Sequence, residues 1–415
     1  MENINKQTPD SFRSAPVGMP SVKEIFKTGR GPSSSHTIGP ERACKIFRSN
    51  HPKADSFKAV LYGSLARTGK GHGTDTVIKK TFAPFPVEVV FDVMRDDLPH
   101  PNTMDLIAFE KGCQAGSARI ISVGGGNISF DTPAAVTSPA VYSESSFEQL
   151  GKTCKTQGIP LWKTVYDRED ADFEEYLANA WQTMKNSIDR GLNDSGILPG
   201  GLNVHKRART LYEKPLSREA GKDDSRFICA YAFAVSEQNA MGETIVTAPT
   251  CGSAGVLPAV LYHFQKTENL ADTEIYHAMA VAGIIGNLIK TNASISGAEC
   301  GCQAEIGSAC AMTSAALCQL RGMNTEQIEY AAEISIEHHL GLTCDPIAGL
   351  VQIPCIERNA VAAMRAVNAA ELASFLWDSR KISLDRVIRT MKETGQDLSS
   401  VYRETSLGGL AKINL

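Results

Sequence analysis

The chain has 415 residues, with 42 basic side chains against 46 acidic ones and a net charge of −4. This balance provides no basic face for nucleic acid and no polybasic membrane anchor, and 42% hydrophobic with 21% charged residues is an ordinary globular composition with room for two domains. Met1–Asp10 lacks an apolar h-region and the longest apolar stretch, Ala278 to Ile289, is too short to span a bilayer, so no secretory signal and no membrane span are expected and the chain reads as cytoplasmic.

Residues 1–20 are polar and contain Pro9, Pro16 and Pro20, the pattern of a flexible arm. From Ser21 onward, β-rich runs at Ala59–Tyr62, Val87–Val93 and Arg119–Val123 accompany a helix beginning near Pro40. They predict an α+β domain over 21–150, its end merging into a Pro-, Ser- and Thr-rich linker from Asp131 to about Pro160. Beyond it, composition shifts to Ala, Leu, Met and Glu, with helical patterns at Phe173–Arg190, Ser225–Glu237, Thr273–Ile289, Cys310–Leu320, Thr325–Ile336 and Asn359–Trp377. The second domain, 160–410, is therefore expected to be mainly α-helical.

The first domain opens with Gly29-Arg-Gly-Pro-Ser-Ser-Ser-His-Thr-Ile-Gly-Pro40. Ser33, Ser34, Ser35 and Thr37 ahead of a helix start form a donor-rich loop suited to a carboxylate, and His36 is a candidate proton-transfer group. A plain Ser-rich turn is the competing reading. Gly63–Asp75 carries Lys70 and His72 among four glycines. It misses the P-loop pattern, because the gap to Gly69 is one residue too long and Gly71 stands where Ser or Thr would bind Mg²⁺. Val123-Gly-Gly-Gly-Asn127 is a strand followed by a turn that permits close backbone approach. In the second domain, Leu198–Ala208 sets His205, Lys206 and Arg207 beside a Gly-Gly turn, and Thr247–Pro258 is rich in small residues ahead of an apolar helix.

Eleven cysteines with uneven spacing argue against a disulfide framework. Cys44, Cys113, Cys154, Cys229, Cys310 and Cys318 read as small buried hydrophobes, while Cys251 and Cys300 lie in motif-like segments and stay open. Cys302, Cys344 and Cys355 are 42 and 11 residues apart, each beside turn-forming Gly or Pro. That spacing fits neither a zinc ribbon nor a redox Cys-x-x-Cys, and thiolates gathered from separate segments suit an iron–sulfur cluster. Glu299 and Glu305 flank Cys302, and the His338–His339 pair precedes Cys344.

With these segments in order, the chain resembles the iron–sulfur-dependent L-serine dehydratases (L-serine ammonia-lyases), in the single-chain form whose β-type part precedes an α-type part. Gly31–Pro40 and Tyr62–His72 resemble the β part. Leu198–Leu202, Thr247–Thr250, Ile295–Glu299, Gly301–Gln303, Glu337–Gly341, Thr343–Pro346 and, most specifically, Leu350–Asn359 resemble the α part. The resemblance implies a [4Fe–4S] cluster on Cys302, Cys344 and Cys355, with one open iron acting as Lewis acid on L-serine to give pyruvate and ammonia. It also implies a homodimer. His36 is then the expected catalytic group, and Ser33, Ser34, Ser35, Thr37, Lys70, His72 and Lys206 the expected substrate contacts. Cys300 stands where relatives carry an apolar residue and competes with Cys302 as ligand. No cysteine follows Cys355, so none is present to occupy the open iron from the tail. Cysteine desulfidation, or another β-elimination from a small amino acid, is the alternative enzyme reading; a cluster-based sensor is the non-enzymatic one.

Overall fold

A computed structural model describes residues 18–95, 97–130, 139–217 and 222–413. Of the expected arm, residues 1–17 lie outside the described residues. Two hydrophobic cores organise the rest, an α+β part followed by a mainly helical one, as the pattern of the sequence requires.

The strands are β1 (Thr28–Arg30), β2 (Ser56–Tyr62), β3 (Val87–Asp92), β4 (Thr103–Glu110), β5 (Cys113–Ser122), β6 (Ile128–Phe130) and β7 (Thr244–Val246). Five of them form one sheet in the order β3-β2-β4-β5-β6, in which β2 pairs parallel with β3 and antiparallel with β4. Along β2 the buried positions alternate, Phe57, Ala59 and Leu61 facing the helices Ile38–Asn50 and Thr74–Phe82. Phe57 stacks on Phe82 at 4.2 Å between ring centroids, and Phe47 and Ile78 complete this smaller core. β4 was not expected, since Asp105 and Glu110 interrupt its apolar pattern. In the fold Asp105 accepts both guanidinium bonds of Arg119 on the neighbouring β5 at 2.8 Å and the Tyr62 hydroxyl at 2.9 Å, so its charge is matched within the sheet. Cys113, expected to be buried, opens β5 at the hairpin and is exposed; Cys229 is half-buried.

The larger core surrounds the helix Asp272–Asn292, buried continuously from Ala278 to Ile289 and packed against the helix Ser308–Leu320. Small residues bring these elements close. Gly286 leaves room for Met312, and Gly283 leaves room for Val22. Val22 belongs to a segment that departs from the expected division of the chain. Met19, Val22, Ile25 and Phe26 join the larger core, and β1 pairs antiparallel with β7 across it. The stretch expected as a linker departs likewise. Residues 131–138 lie outside the described residues, but Tyr142 bonds the Met19 backbone and the helix Phe147–Gln157 buries Phe147 and Leu150 in the larger core. Ser146 caps that helix through the Gln149 N–H, which explains how a Ser-rich sequence reads as loop yet begins a helix. No helix among the described residues is long and apolar enough to cross a membrane.

Gly283 tests the docking of this N-terminal segment. A Cβ there would lie 2.1 Å from Val22 Cγ1. Gly283→Ala should therefore destabilise the protein by about 1–3 kcal/mol, the usual cost of overpacking, as a lower urea midpoint. An unchanged midpoint would show that the segment is free to move away.

Candidate active site

Cys302, Cys344 and Cys355 line one small internal cavity of ≈ 20 Å³, together with Ser33, His72, Glu305 and Glu404. The walls come from both parts of the fold. Cys302 precedes a π-helical turn, Gln303–Gly307, that aims Glu305 into the cavity; such turns recur at functional sites. Cys355 begins the helix Cys355–Leu376. Side-chain amides lock these loops together. Gln303 donates to Cys300 O at 2.8 Å and accepts from Gly341 N at 2.9 Å, joining the Cys302 and Cys344 loops. Asn359 donates to Gly252 O at 2.8 Å and accepts from Gly255 N at 3.0 Å, holding the small-residue segment against the Cys355 helix. A Cβ on Gly297 would lie 3.0 Å from Cys344 Sγ, so glycine leaves that sulfur its space.

Burial dominates the electrostatics. It raises the Cys302 thiol to about 11 and pushes Cys344 and Cys355 up as well, with Cys302 adding to the shift of both. Arg358 reaches Cys302 from behind and donates to Thr343 O at 2.7 Å; burial opposes its charge, but the thiolates keep it firmly cationic. Burial likewise raises Glu305 to about 7 and lifts Glu404 well above the carboxylate range. Cys300 takes no part in the cavity lining. Its side chain packs against Gly395, where a Cβ would lie 2.6 Å from Sγ. Glu299 is also apart, bonded to His100 of the first domain at 2.6 Å and to Ser294.

The expected serine loop divides into a cavity-facing residue and a supporting layer. Ser33 lines the cavity. His36 is wholly buried behind it, with Ser33 and Ser35 hydroxyls each 3.1 Å from Nδ1. On the other side of the ring, Thr68 Oγ1 lies 2.9 Å from His36 Nε2 and 2.9 Å from Ser64 O. Burial lowers the His36 pKa to about 4, holding it neutral. Thr37 donates to Arg30 O and Ser33 O, closing the loop on itself, and Ser34 bonds Cys251. His72 meets His36 edge-on at 4.3 Å between ring centroids; both its nitrogens are buried, and burial outweighs a backbone interaction with Gly349 and holds the ring neutral too. Lys70 lines a cleft of ≈ 580 Å³ that meets the cavity at Pro32, His72 and Val351, with Arg30 and Lys80 in the same lining. Lys206 is elsewhere, paired with Asp194 at 2.6 Å. His338 and His339 line a separate cavity beyond Arg358.

Sequence reasoning missed Glu404. The tail residues 400–413 fold over the Cys344 loop: Cys344 N donates to Tyr402 O and Glu404 N to Cys344 O, both at 2.8 Å. Asp345 accepts from Leu410 N at 2.8 Å. Glu404 thereby enters the cavity with its Oε1 3.7 Å from His36 Nδ1. No local pattern marks it, since its role depends on contacts some 60 residues and more away; the turn-rich Ser406-Leu-Gly-Gly run is the nearest signal.

As donors for a metal, the cavity offers three thiols from separate segments, and His36, His72 and Glu404 stand within 4.8 Å of one another beside them. Softness and number of the thiols match an iron–sulfur cluster with one iron lacking a protein thiolate.

Comparison with known proteins follows the same division. Residues 21–85 match the family model of the serine dehydratase beta chain, and residues 102–411 that of the serine dehydratase alpha chain. L-serine dehydratase 2 of Escherichia coli is 40% identical over 95% of this chain and 98% of its own length. The L-serine dehydratase of Streptomyces coelicolor is 40% identical over 94% and 98%, and that of Helicobacter pylori 38% identical over 94% and 98%.

The tail's attachment is directly testable. Asp345→Ala removes the acceptor of Leu410 N and should loosen residues 400–413 by about 1–3 kcal/mol. Faster hydrogen exchange and tryptic cleavage at Arg403 should follow; unaltered protection of the tail would mean that Asp345 does not hold it.

Proposed function

The chain belongs to the serine dehydratase family, and on that premise we propose that it is an L-serine ammonia-lyase, converting L-serine to pyruvate and ammonia with a [4Fe–4S] cluster held by Cys302, Cys344 and Cys355. The observation that carries the proposal is the convergence of those three thiols on one buried cavity with Ser33, His72 and Glu404.

The reaction needs the α-proton removed, the β C–O bond broken and water kept from competing. When bound, the cluster supplies an iron Lewis acid for the β-hydroxyl, a poor leaving group by itself. The protein's own groups supply the rest. Ser33 holds the substrate carboxylate. His72 accepts the α-proton: it is neutral and lines the cavity beside the three thiols. His36 orients Ser33 through its Nδ1 and backs His72 edge-on. The resulting 2-aminoacrylate tautomerises to an imine, and hydrolysis of the imine gives pyruvate and ammonia. Arg30, Lys70 and Lys80 attract the carboxylate in the cleft, while the tail and Val351 keep bulk water from the cavity.

Two measurements test the reading. Anaerobically prepared protein should contain about four iron and four sulfide per chain and form pyruvate from L-serine. Cys302→Ala, Cys344→Ala and Cys355→Ala should each lose both properties, while Cys300→Ala keeps them. Stoichiometric zinc without sulfide would contradict the cluster. Separately, His72→Ala should leave iron content intact and lower kcat about 10²-fold or more, as for loss of a proton acceptor, whereas Ser33→Ala should chiefly raise KM. A His72→Ala enzyme with wild-type kcat would remove His72 from the chemistry.

A further inference from the structure

The cleft outside the cavity carries more positive charge than a serine carboxylate can use. Arg30, Lys70 and Lys80 line it, and no Asp or Glu is among the lining residues. None of the three is in an ion pair among the described residues. The Lys70 ammonium lies over the Phe91 ring at 5.7 Å, and Asp75, the acid of the same loop, faces Lys79 at 3.5 Å. One entering carboxylate would match one of these cations and leave two. Size points the same way. A volume of ≈ 580 Å³ falls within the roughly 300–1,000 Å³ typical of small-molecule sites, whereas the cavity behind it measures ≈ 20 Å³.

Both parts of the fold build the cleft. Lys70, Gly71, Gly73 and Lys80 come from the sheet domain, and Pro199 and Gln352 from the helical one. Gly71 permits the close approach of the two, since a Cβ there would lie 3.2 Å from Gly349 O. Gly73, at φ 68, stands at the start of the helix Thr74–Phe82, whose first turn presents Thr76 to the cleft. A lysine-bearing glycine loop ahead of a helix suits a phosphoryl group, although this loop lacks the nucleotide P-loop pattern. The opposite wall adds an open acceptor. Gln352 is 3% exposed and donates from Nε2 to Pro199 O at 2.6 Å, and its Oε1 has no partner among the described residues. A hydroxyl on the ligand would satisfy it.

We propose that this cleft is a binding site for a small phosphorylated hydroxy acid, and that its occupancy shuts the entrance to the cavity. The charges balance: a phosphate ester carries about two negative charges at pH 7 and a carboxylate a third, against Arg30, Lys70 and Lys80. Pro32, His72 and Val351 line cleft and cavity alike, so a ligand seated across them stands in the path of L-serine. The blocking role rests on the serine reading above; the binding role does not.

The probe is 3-phosphoglycerate, compared with glycerate, which has the same carboxylate and hydroxyls but no phosphoryl group. Calorimetric titration of the anaerobic holoenzyme at fixed ionic strength should show one 3-phosphoglycerate site per chain. Glycerate should displace it only at tenfold higher concentration or more. Lys70→Ala and Lys80→Ala should each weaken 3-phosphoglycerate at least fivefold, and Lys80→Arg, which keeps the charge, should not. In the wild type, 3-phosphoglycerate should raise the apparent KM for L-serine and leave kcat unchanged. Absence of binding, equal affinity for glycerate, or binding that survives Lys70→Ala and Lys80→Ala together would overturn the site. Binding with an unaltered L-serine KM would overturn its place at the entrance. A wild-type protein that forms no pyruvate would instead strike the serine reading, and the titration would still report on the cleft.

Discussion

Around the central cavity, desolvation acts on three thiols, two carboxyls and two imidazoles together. It favours the neutral form of each, raising the acids and lowering His36 and His72. Such a set of groups can take up charge only when a cationic partner arrives, because an uncompensated charge in that setting costs several kcal/mol. Binding and ionisation are thereby coupled. Metal ligation would release protons from the thiols. The two imidazoles stay neutral because burial disfavours their charged forms.

Holding these groups in place takes segments from nearly the whole described chain. The sheet domain delivers Ser33 and His72, the π-helical turn delivers Glu305, and the tail delivers Glu404. The joints between them are polar and specific: Gln303 between two cysteine loops, Asn359 between the small-residue segment and the last cysteine, Asp345 between its own loop and the tail. The N-terminal segment from Met19 to Phe26 is packed in the larger core although it precedes the sheet domain in sequence. The Ser33 loop consequently leaves β1 already anchored to β7 of the helical part, which limits how far the serine wall can drift from the cysteine wall.

Legibility in the sequence followed the range of the interactions involved. Helices with strong apolar content, such as Asp272–Asn292 and Ser308–Leu320, were read within a few residues of their ends, because burial there is written into every turn. The strand β4 and the helix Phe147–Gln157 escaped notice: one carries a half-buried aspartate matched by Arg119 and Tyr62, the other starts from a serine cap within a run of loop-forming residues. At the site, Cys302, Cys344, Cys355, Ser33 and His72 come together at the cavity, whereas His36, Ser34, Ser35 and Thr37 support it and Lys206 lies with Asp194. Residue type had suggested chemistry for all of them. Only packing separates the wall from the layer behind it, and only the return of the tail brings in Glu404.

The central claim is that Cys302, Cys344 and Cys355 form an iron–sulfur site at this cavity. Anomalous diffraction at the iron edge from anaerobically grown crystals tests it most directly. The account predicts one compact iron peak in the cavity, adjoining these three sulfurs and facing His72 and Glu404. Iron bound at Cys300, or at the exposed Cys113, with the cavity free of iron, would contradict it.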